Sequence, residues 1–344
     1  MTSLKSFGQG PTDTELVPDT RPYLRVAHSA IVDRPSAAAL RVIERLSDKG
    51  PRPATNATDV RRRYADSRRP FLASIEPVES VIHVRPPIDR SPPITVIRPL
   101  GKVSGAPLPA IVYFHGGGWT VGDLSTYEPL CRQLANASGC VVVYVEYRLA
   151  PEHPFPAAFE DGRNALRWLR ENFEWLGIDP DRMGVGGDSS GGNLAAAICL
   201  AERNERTRHV PAFQLLLYPS LDMTACMPSH KEFASGYLLT AELYRWYRGN
   251  YVAKFEKPAH WRLSPLFAHD VSELPPAIIL YAGFDPLRDE AVAYARRLRL
   301  AGVRAETLFF PDMIHGFLTM GGAIPTAGVA IQRIAALLRG IVDD

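Results

Sequence analysis

From residue 110 onward the chain alternates apolar runs of strand length with segments of helical periodicity. The apolar runs cover residues 110–114, 141–147, 183–187, 213–218, 277–282 and 307–310, and the clearest helical segments are 158–171, 190–204, 287–301 and 327–340. A strand without alternating polar residues has to be covered on both faces. The alternation therefore predicts an α/β fold with a mostly parallel central sheet flanked by helices. Two earlier runs, 80–84 and 94–98, are separated by a proline-rich turn and predict an antiparallel pair.

The charge balance limits the kinds of partner that the chain can bind. Lys and Arg number 39 and Asp and Glu number 37, a formal net charge of +2, which argues against nucleic-acid or anionic-membrane binding by the whole surface. We interpret the basic cluster of Arg61, Arg62, Arg63, Arg68 and Arg69 as a solvated helix face, which is more common for such a run than the alternative, a nucleic-acid patch. The sequence offers no apolar run of membrane-spanning length, no secretory signal pattern and no paired cysteine spacing. These features predict a soluble, reduced, cytoplasmic protein.

Residues 187–191 read Gly-Asp-Ser-Ser-Gly and lie between a predicted strand and a predicted helix. A serine in such a turn has a strained backbone and needs small residues two positions before and two positions after it. Gly187 and Gly191 stand at those positions around Ser189. This spacing favours Ser189 over Ser190 as a nucleophile, and it predicts that the neighbouring Asp188 holds the surrounding loops by hydrogen bonds.

Residues 115–118 read His-Gly-Gly-Gly and follow the first apolar run. Consecutive glycines let the main chain approach a ligand closely and leave N–H groups free to point outward. Acyl transfer needs such donors because negative charge develops on the carbonyl oxygen. His115 itself is predicted to bond its own loop backbone.

A serine hydroxyl needs an adjacent base to act as a nucleophile at neutral pH. His315 follows the last apolar run, and Asp285 follows the preceding one, which is the chain order of acid and base expected after an elbow serine. Asp285 is chosen over Asp289 and Glu290 because it lies closest to the end of the strand. The three residues Ser189, Asp285 and His315 are therefore the candidate catalytic set.

Together these segments resemble the bacterial hormone-sensitive lipase-like esterases. The motifs that carry the resemblance are residues 115–118, 147–152, 187–193, 285–290 and 315–317, and it extends over about residues 109–318. The resemblance implies an α/β-hydrolase fold with a helical cap and a triad of Ser189, Asp285 and His315. It implies an oxyanion hole of backbone N–H groups drawn from Gly116, Gly117, Gly118 and Ser190, best matched by the last three.

The resemblance also implies the organisation and activity of the chain. Residues 1–75 are expected to form an N-terminal arm and part of the cap, and residues 76–344 the catalytic domain, with 222–262 as a second cap segment. The expected reaction is hydrolysis of small-molecule esters with short to medium acyl chains, without a metal or organic cofactor. A homodimer through 307–310 and 327–340 is also implied. Where the family usually has alanine this chain has Ser190, whose hydroxyl is expected to alter the hydrogen bonding of Ser189.

Two other functions remain open on the sequence alone. The same triad serves amidases, peptidases and deacetylases, which differ from esterases in the bond that they cleave. A ligand receptor on this scaffold would need no turnover, but such proteins typically lose the base, and His315 is present.

Overall fold

The computed structural model describes residues 34–47, 56–87, 92–101, 105–207, 209–252 and 257–343, so the first 33 residues of the segment 1–75, predicted to be an arm and part of the cap, lie outside the described residues. The strands are β1 (Ser80–Val84), β2 (Ile94–Arg98), β3 (Leu108–Phe114), β4 (Val141–Val145), β5 (Ile178–Asp188), β6 (Gln214–Leu217), β7 (Ala277–Phe284) and β8 (Ala305–Ile314). The α-helices are α1 (Ala37–Ser47), α2 (Ala57–Arg68), α3 (Leu124–Ser138), α4 (Ala157–Leu176), α5 (Ser190–Asn204), α6 (Pro228–Glu232), α7 (Ala241–Val252), α8 (Arg288–Leu300) and α9 (Thr326–Val342).

The strands form one sheet in the order β1-β2-β4-β3-β5-β6-β7-β8. Strand β2 runs antiparallel to both β1 and β4, and the pairings from β4 through β3 to β8 are parallel. The predicted mostly parallel sheet and the predicted antiparallel pair are therefore confirmed. In a parallel sheet the carboxyl ends of the strands lie at one edge, so the loops that follow β3, β5, β7 and β8 meet there.

Successive residues of β3 pack on opposite faces of the sheet. Val112 belongs to an apolar cluster with side chains of α4, α5 and α8, whereas Ile111 and Tyr113 belong to a second cluster with side chains of α3 and α9. Every residue of β3 and of β4 is buried. The continuous apolar runs of the sequence follow from this two-sided cover.

Some element boundaries differ from the prediction, and polar residues explain why. Strand β5 begins at Ile178, ahead of two aspartates, a proline and an arginine, and strand β8 continues through Pro311 and Asp312. Helix α3 is not among the clearest helical segments of the sequence because Pro129 lies inside it. It begins at a capping box formed by Asp123 and Thr126, which satisfies the free N–H groups of its first turn.

Two segments lie over the carboxyl edge of the sheet. Helix α2 precedes the first strand, and helices α6 and α7 belong to the stretch between β6 and β7. The two segments meet where Val60 of α2 packs with Tyr247 of α7 and with Val121 from the loop after β3. Helix α1, in contrast, packs into the layer of α3 and α9 through Ala39 and Val42. The assignment of 1–75 and 222–262 to a cap stays a prediction.

Helix α5 starts directly at the carboxyl end of β5 and is buried along most of its length. Its first turn lies against the main chain of β3, where a Cβ atom at Gly191 would come 1.8 Å from the carbonyl oxygen of Phe114. A backbone oxygen cannot move aside as the end of a side chain can, so this position accepts only glycine. Gly328 in α9 is the opposite case, since nothing lies within 4 Å of an added Cβ there.

We expect Gly191→Ala to lower the thermal unfolding midpoint, because the overpacking it creates typically costs about 1–3 kcal/mol. Gly328→Ala is the matched control and should leave the midpoint unchanged or raise it, since replacing an unstrained helical glycine by alanine typically stabilises by about 0.5–1 kcal/mol. Circular dichroism melts of both variants measure the two shifts. Equal midpoints for the two variants would contradict the close approach of α5 to β3.

Candidate active site

Ser189 lies between β5 and α5 in a backbone conformation that non-glycine residues rarely adopt, with φ 54° and ψ −115°. Its N–H donates to the carbonyl of Leu217, and its own carbonyl accepts from Ser220 and Asn193. These bonds hold the strained turn in place. The side chain is only half-buried, as expected for a hydroxyl raised above the sheet edge.

Ser189, His315 and Asp285 form a continuous chain of hydrogen bonds. His315 Nε2 lies 2.9 Å from Ser189 Oγ, and His315 Nδ1 lies 2.8 Å from Asp285 Oδ2. With Nδ1 as donor to the carboxylate, Nε2 is the acceptor for the serine hydroxyl. The structure thus brings together the three residues that the sequence singled out, from the ends of three different strands.

The surroundings of the imidazole and of the carboxylate fix both groups. Asp285 is fully buried after β7, and its Oδ1 accepts from the Leu287 N–H at 2.8 Å. The ring of Tyr218 packs edge-on against the His315 ring, with centroids 5.0 Å apart. A buried acceptor on Nδ1 and an aromatic wall leave the imidazole one orientation, towards Ser189.

The glycine loop after β3 presents main-chain donors beside Ser189. Gly117 and Gly118 have φ values of 106° and 60°, and no described residue accepts a hydrogen bond from their N–H groups. The N–H of Ser190, at the first turn of α5, is likewise without an acceptor among the residues that the structure describes. All three residues line the cavity that contains Ser189 and His315.

Gly116 differs from the other predicted donors. Its N–H donates to Asp188 Oδ1 at 2.8 Å, so this group is already satisfied inside the protein. The prediction that Gly116 belongs to the donor set is therefore corrected, because one N–H cannot serve both the buried carboxylate and a ligand at full strength. The remaining candidates are Gly117, Gly118 and Ser190.

Asp188 holds the glycine loop and the helix layer together, as predicted. Besides the Gly116 N–H it accepts from the hydroxyls of Tyr113 and Tyr127, at 2.9 and 3.2 Å. Burial raises the pKa of the Asp188 carboxyl to about 6, although these hydrogen bonds favour the ionised form.

His115 bonds its own loop, which confirms its predicted role. Nδ1 lies 2.7 Å from the carbonyl oxygen of Gly116, and the ring is stacked on Tyr147 with centroids 4.3 Å apart. Burial lowers the pKa of His115 to about 4, so the ring is neutral at physiological pH.

The hydroxyl of Ser190 does not compete for the triad. The Ser190 side chain is fully buried, and its Oγ has no hydrogen-bond partner of normal geometry among the described residues. The hydroxyl of Ser189 is paired with His315. No described hydrogen bond joins the Ser190 hydroxyl to the Ser189 hydroxyl, so the structure does not support the expectation that Ser190 alters the hydrogen bonding of Ser189.

Above the triad lies a cavity of about 650 Å³, a volume that includes its open mouth. Its roof comes from α2 and from the 222–262 segment. The lining residues from these segments are Tyr64, Arg68, Leu238, Leu239, Leu243, Tyr244 and Tyr247. None of these residues was predicted to belong to a site. The signal in the sequence was the spacing of Val60, Tyr64 and Arg68, which places all three on one face of a helix.

The interpretation of Arg61 and Arg68 as part of a solvated face is wrong. Arg61 Nε donates to the carbonyl of Thr120 at 2.8 Å, Nη2 donates to the carbonyl of Ala150 at 3.0 Å, and the guanidinium pairs with Glu152. Arg68 lines the cavity. Both side chains point towards the sheet edge because loop carbonyls and the cavity lie on that side of α2. Arg62, Arg63 and Arg69 are exposed, as predicted.

The two acidic residues rejected in favour of Asp285 tie α6 to α8. Asp289 Oδ2 accepts from the Ser229 N–H at 2.9 Å, and Glu290 Oε1 lies 3.0 Å from His230 Nε2. Burial raises the pKa of Glu290 to about 7. Burial alone would lower the pKa of His230, but the hydrogen bond to Glu290 raises it overall. Helix α6 is thereby fixed to the start of α8, next to the Asp285 loop.

Neither a metal site nor a membrane helix is found in the described part of the chain. No group of three or more His, Cys, Asp and Glu side chains is placed to hold a metal ion there. None of the described helices combines the length and apolarity that a bilayer crossing requires.

Known proteins are similar to this chain over most of its length. A family model described as alpha/beta hydrolase fold matches residues 111–319. The carboxylic ester hydrolase LipN of Mycobacterium tuberculosis is 43% identical over 250 residues, which cover 70% of this chain and 66% of LipN, just under two thirds of its length. The ethyl acetate hydrolase of Pseudomonas putida is 34% identical over 308 residues, which cover 88% of this chain and 97% of that protein.

A solved structure extends the likeness to nearly the whole chain. The hyperthermophilic esterase from the archaeon Pyrobaculum calidifontis superposes with a TM-score of 0.83 at 36% identity, over 90% of this chain and 99% of that one.

The depressed pKa of His115 generates a prediction about stability and pH. The unfolded chain binds a proton at this residue near pH 6.5, whereas the folded protein resists protonation until about pH 4. His115 therefore contributes stability above pH 6.5 that is lost as the pH falls towards 4, by up to about 3 kcal/mol. His115→Gln, which can still donate to Gly116, should remove this contribution.

The measurement is the difference between the unfolding free energies of wild type and His115→Gln at several pH values. Taking the difference cancels the contributions of other titrating groups such as Asp188 and Glu290, whose raised pKa values make the folded state more stable as the pH falls. We expect the advantage of the wild type to shrink between pH 6.5 and pH 4. A constant difference would show that burial does not hold the ring neutral.

Proposed function

This chain belongs to the α/β-hydrolase family that includes the hormone-sensitive lipase-like esterases, and we propose that it hydrolyses carboxylic esters of small molecules through a serine acyl-enzyme. The observation that carries the proposal is the hydrogen-bonded chain from Ser189 through His315 to Asp285 at the floor of the cavity. The names of the relatives, which include a carboxylic ester hydrolase and an ethyl acetate hydrolase, support the same reaction.

In the proposed first half-reaction, Ser189 Oγ attacks the ester carbonyl carbon while His315 Nε2 takes the hydroxyl proton. Asp285 holds the Nδ1–H and stabilises the imidazolium that results. His315 then gives the proton to the oxygen of the leaving alcohol, the C–O bond breaks, and the acyl group stays on Ser189. In the second half-reaction water attacks the acyl carbon, His315 takes a proton from that water and returns it to Ser189, and the carboxylate leaves.

The proposed oxyanion hole consists of the N–H groups of Gly117, Gly118 and Ser190. Each of these groups lies beside the nucleophile without another acceptor among the described residues, so each is free to donate when charge appears on the carbonyl oxygen. Donors that are fixed before the reaction starts do not have to reorganise, and removing one typically costs about 10²–10³ in rate. The buried Asp188 holds the loop by the adjacent N–H of Gly116.

The cavity supports short to medium acyl chains as substrates. Leu238, Leu239 and Leu243 give it an apolar wall, and a mostly apolar lining with a few polar groups is typical of sites for small molecules. The segments 1–75 and 222–262 are proposed to act as the cap, since their helices supply most of the roof.

The nucleophile assignment is tested by two neighbouring serines in one turn. Ser189→Ala should lower kcat for p-nitrophenyl butyrate by about 10⁵–10⁶, as loss of the serine does in comparable triads. Ser190→Ala keeps its backbone N–H and should retain activity within about tenfold, since the hydroxyl that is removed is buried and does not contact the triad. Loss of activity in Ser190→Ala together with retained activity in Ser189→Ala would contradict the assignment of Ser189 and identify Ser190 as the nucleophile.

Two further readouts separate this proposal from the alternatives. A fluorophosphonate probe should label the wild type and not Ser189→Ala, whereas a non-catalytic receptor would stay unlabelled. Ester hydrolysis should exceed hydrolysis of the anilide with the same acyl group, and a preference for the anilide would favour an amidase.

We also propose that the protein forms a homodimer through residues 307–310 of β8 and residues 327–340 of α9. This strand is the last of the sheet, and residues from Glu306 to Phe309 are only half-buried, so a row of backbone groups is open to a second copy. Light scattering should give about twice the chain mass of 38.0 kDa. The mass of a single chain at micromolar concentration would contradict the dimer.

A further inference from the structure

We propose that the cavity selects esters that carry a carboxylate group, and that Arg68 is the residue that binds this group. The inference rests on the proposed ester hydrolysis and names the class of substrate for that same site. Arg68 is the one charged side chain of the described cavity roof, and no carboxylate of the described residues balances its charge.

Arg68 has no conventional partner for its guanidinium. Its Nε atom is buried without a hydrogen-bond acceptor, and Nη1 approaches only the sulfur of Met320, at 3.3 Å. No carboxylate of the described residues lies within 4.0 Å of it. Arg61, on the same helix, shows the contrast, since it pairs with Glu152 at 2.6 Å and with two main-chain carbonyls.

A guanidinium in this state is ready for an anion. A buried donor without an acceptor costs free energy, and a thioether is a weak acceptor. A carboxylate matches the fork of N–H groups of arginine and forms charge-assisted hydrogen bonds that are about twice as strong as neutral ones. A substrate with a carboxylate within reach would therefore gain binding energy that a neutral ester cannot gain.

The other lining groups do not offer a competing site for charge. Asp188 is engaged by three donors, and His315 is engaged by Ser189 and Asp285. The wall formed by Leu238, Leu239 and Leu243 is apolar. In such surroundings an electrostatic contact is screened less than at the protein surface. Among the described lining residues, Arg68 is the single permanent cation.

The side chain is also held in place before any ligand arrives. The Arg68 guanidinium lies 5.1 Å from the centroid of the Tyr64 ring, one helical turn earlier on the same face of α2. Helix α2 is itself fixed by Arg61 on the Thr120 carbonyl and by Val60 against Tyr247. A cation that is already positioned loses little side-chain entropy on binding, so most of its attraction for a carboxylate contributes to the preference for carboxylate esters over neutral esters.

Two matched substrate pairs test the proposal and locate the carboxylate on the acyl or the alcohol side. The acyl-side pair is the phenyl monoester of glutaric acid and phenyl 5-methylhexanoate, which have the same branching and size. The alcohol-side pair is 4-carboxyphenyl butyrate and 4-isopropylphenyl butyrate. The proteins compared are the wild type, Arg68→Gln, Arg68→Lys and the control Arg63→Gln, whose side chain is exposed on the same helix.

We expect Arg68→Gln to lower kcat/KM for the carboxylate member of at least one pair by about 10- to 100-fold, the effect of losing one charge-assisted pair. The neutral members should change by less than about threefold, which also shows that the variant is folded. Arg68→Lys should retain part of the selectivity, and Arg63→Gln should leave all four substrates unchanged. Added salt should reduce the rate for the preferred carboxylate ester more than for its neutral partner.

Three results would overturn the inference. One is an equal loss for both members of both pairs in Arg68→Gln, and the second is a wild type that hydrolyses the neutral esters but neither carboxylate ester. In both of these cases ester hydrolysis itself stands. The third is a wild type that hydrolyses none of the four esters and is not labelled by a fluorophosphonate, which removes the proposed function and this inference together.

Discussion

The carboxylate of Asp188 connects the two loops on which the candidate site depends. It directly precedes Ser189 in the chain, and it accepts the Gly116 N–H from the loop after β3. Burying a charge is costly, and two tyrosine hydroxyls and one main-chain donor offset that cost here. The elbow and the glycine loop are therefore held at a fixed separation by one buried group, and the remaining glycine amides keep a fixed relation to the Ser189 hydroxyl.

Polar contacts also determine how the roof is attached. Arg61 fixes α2 to the carbonyls that follow β3 and β4, while Asp289 and Glu290 fix α6 to the start of α8. The surfaces that these bonds bring together are apolar, as the contact of Val60 with Tyr247 shows. Hydrogen bonds to specific atoms give each helix one position, which packing of apolar surfaces alone specifies less sharply.

Much of the fold could be predicted because its strands are covered on both faces. Val112 and Val143 face one layer and Ile111 and Val142 the other, which leaves the apolar runs that make parallel strands visible in a sequence. The triad candidates could be found because chain order and strand ends restrict which residues meet. The extents of β5 and β8 were missed because their outer parts carry aspartate, proline and glutamate.

The role of Gly116 and of the α2 arginines could not be derived in the same way. Whether a glycine N–H faces a carboxylate or a cavity depends on loop geometry, and nothing in a run of three glycines shows which of them has which orientation. A run of arginines on a polar helix has the composition of a solvated face, and only the packing of α2 over the sheet edge shows which of them turn inward.

Helix α2 precedes all the strands in the sequence, and Arg61 joins it to the loops at the sheet edge by hydrogen bonds to the carbonyls of Thr120 and Ala150. The proposed catalytic residues Ser189, Asp285 and His315 lie at the ends of the strands β5, β7 and β8. The face of α2 that carries Tyr64 and Arg68 lines the cavity. The proposed reaction and the proposed recognition are thus carried by separate parts of one chain, so the substrate preference of a descendant can change through substitutions in α2 while the triad is inherited unchanged.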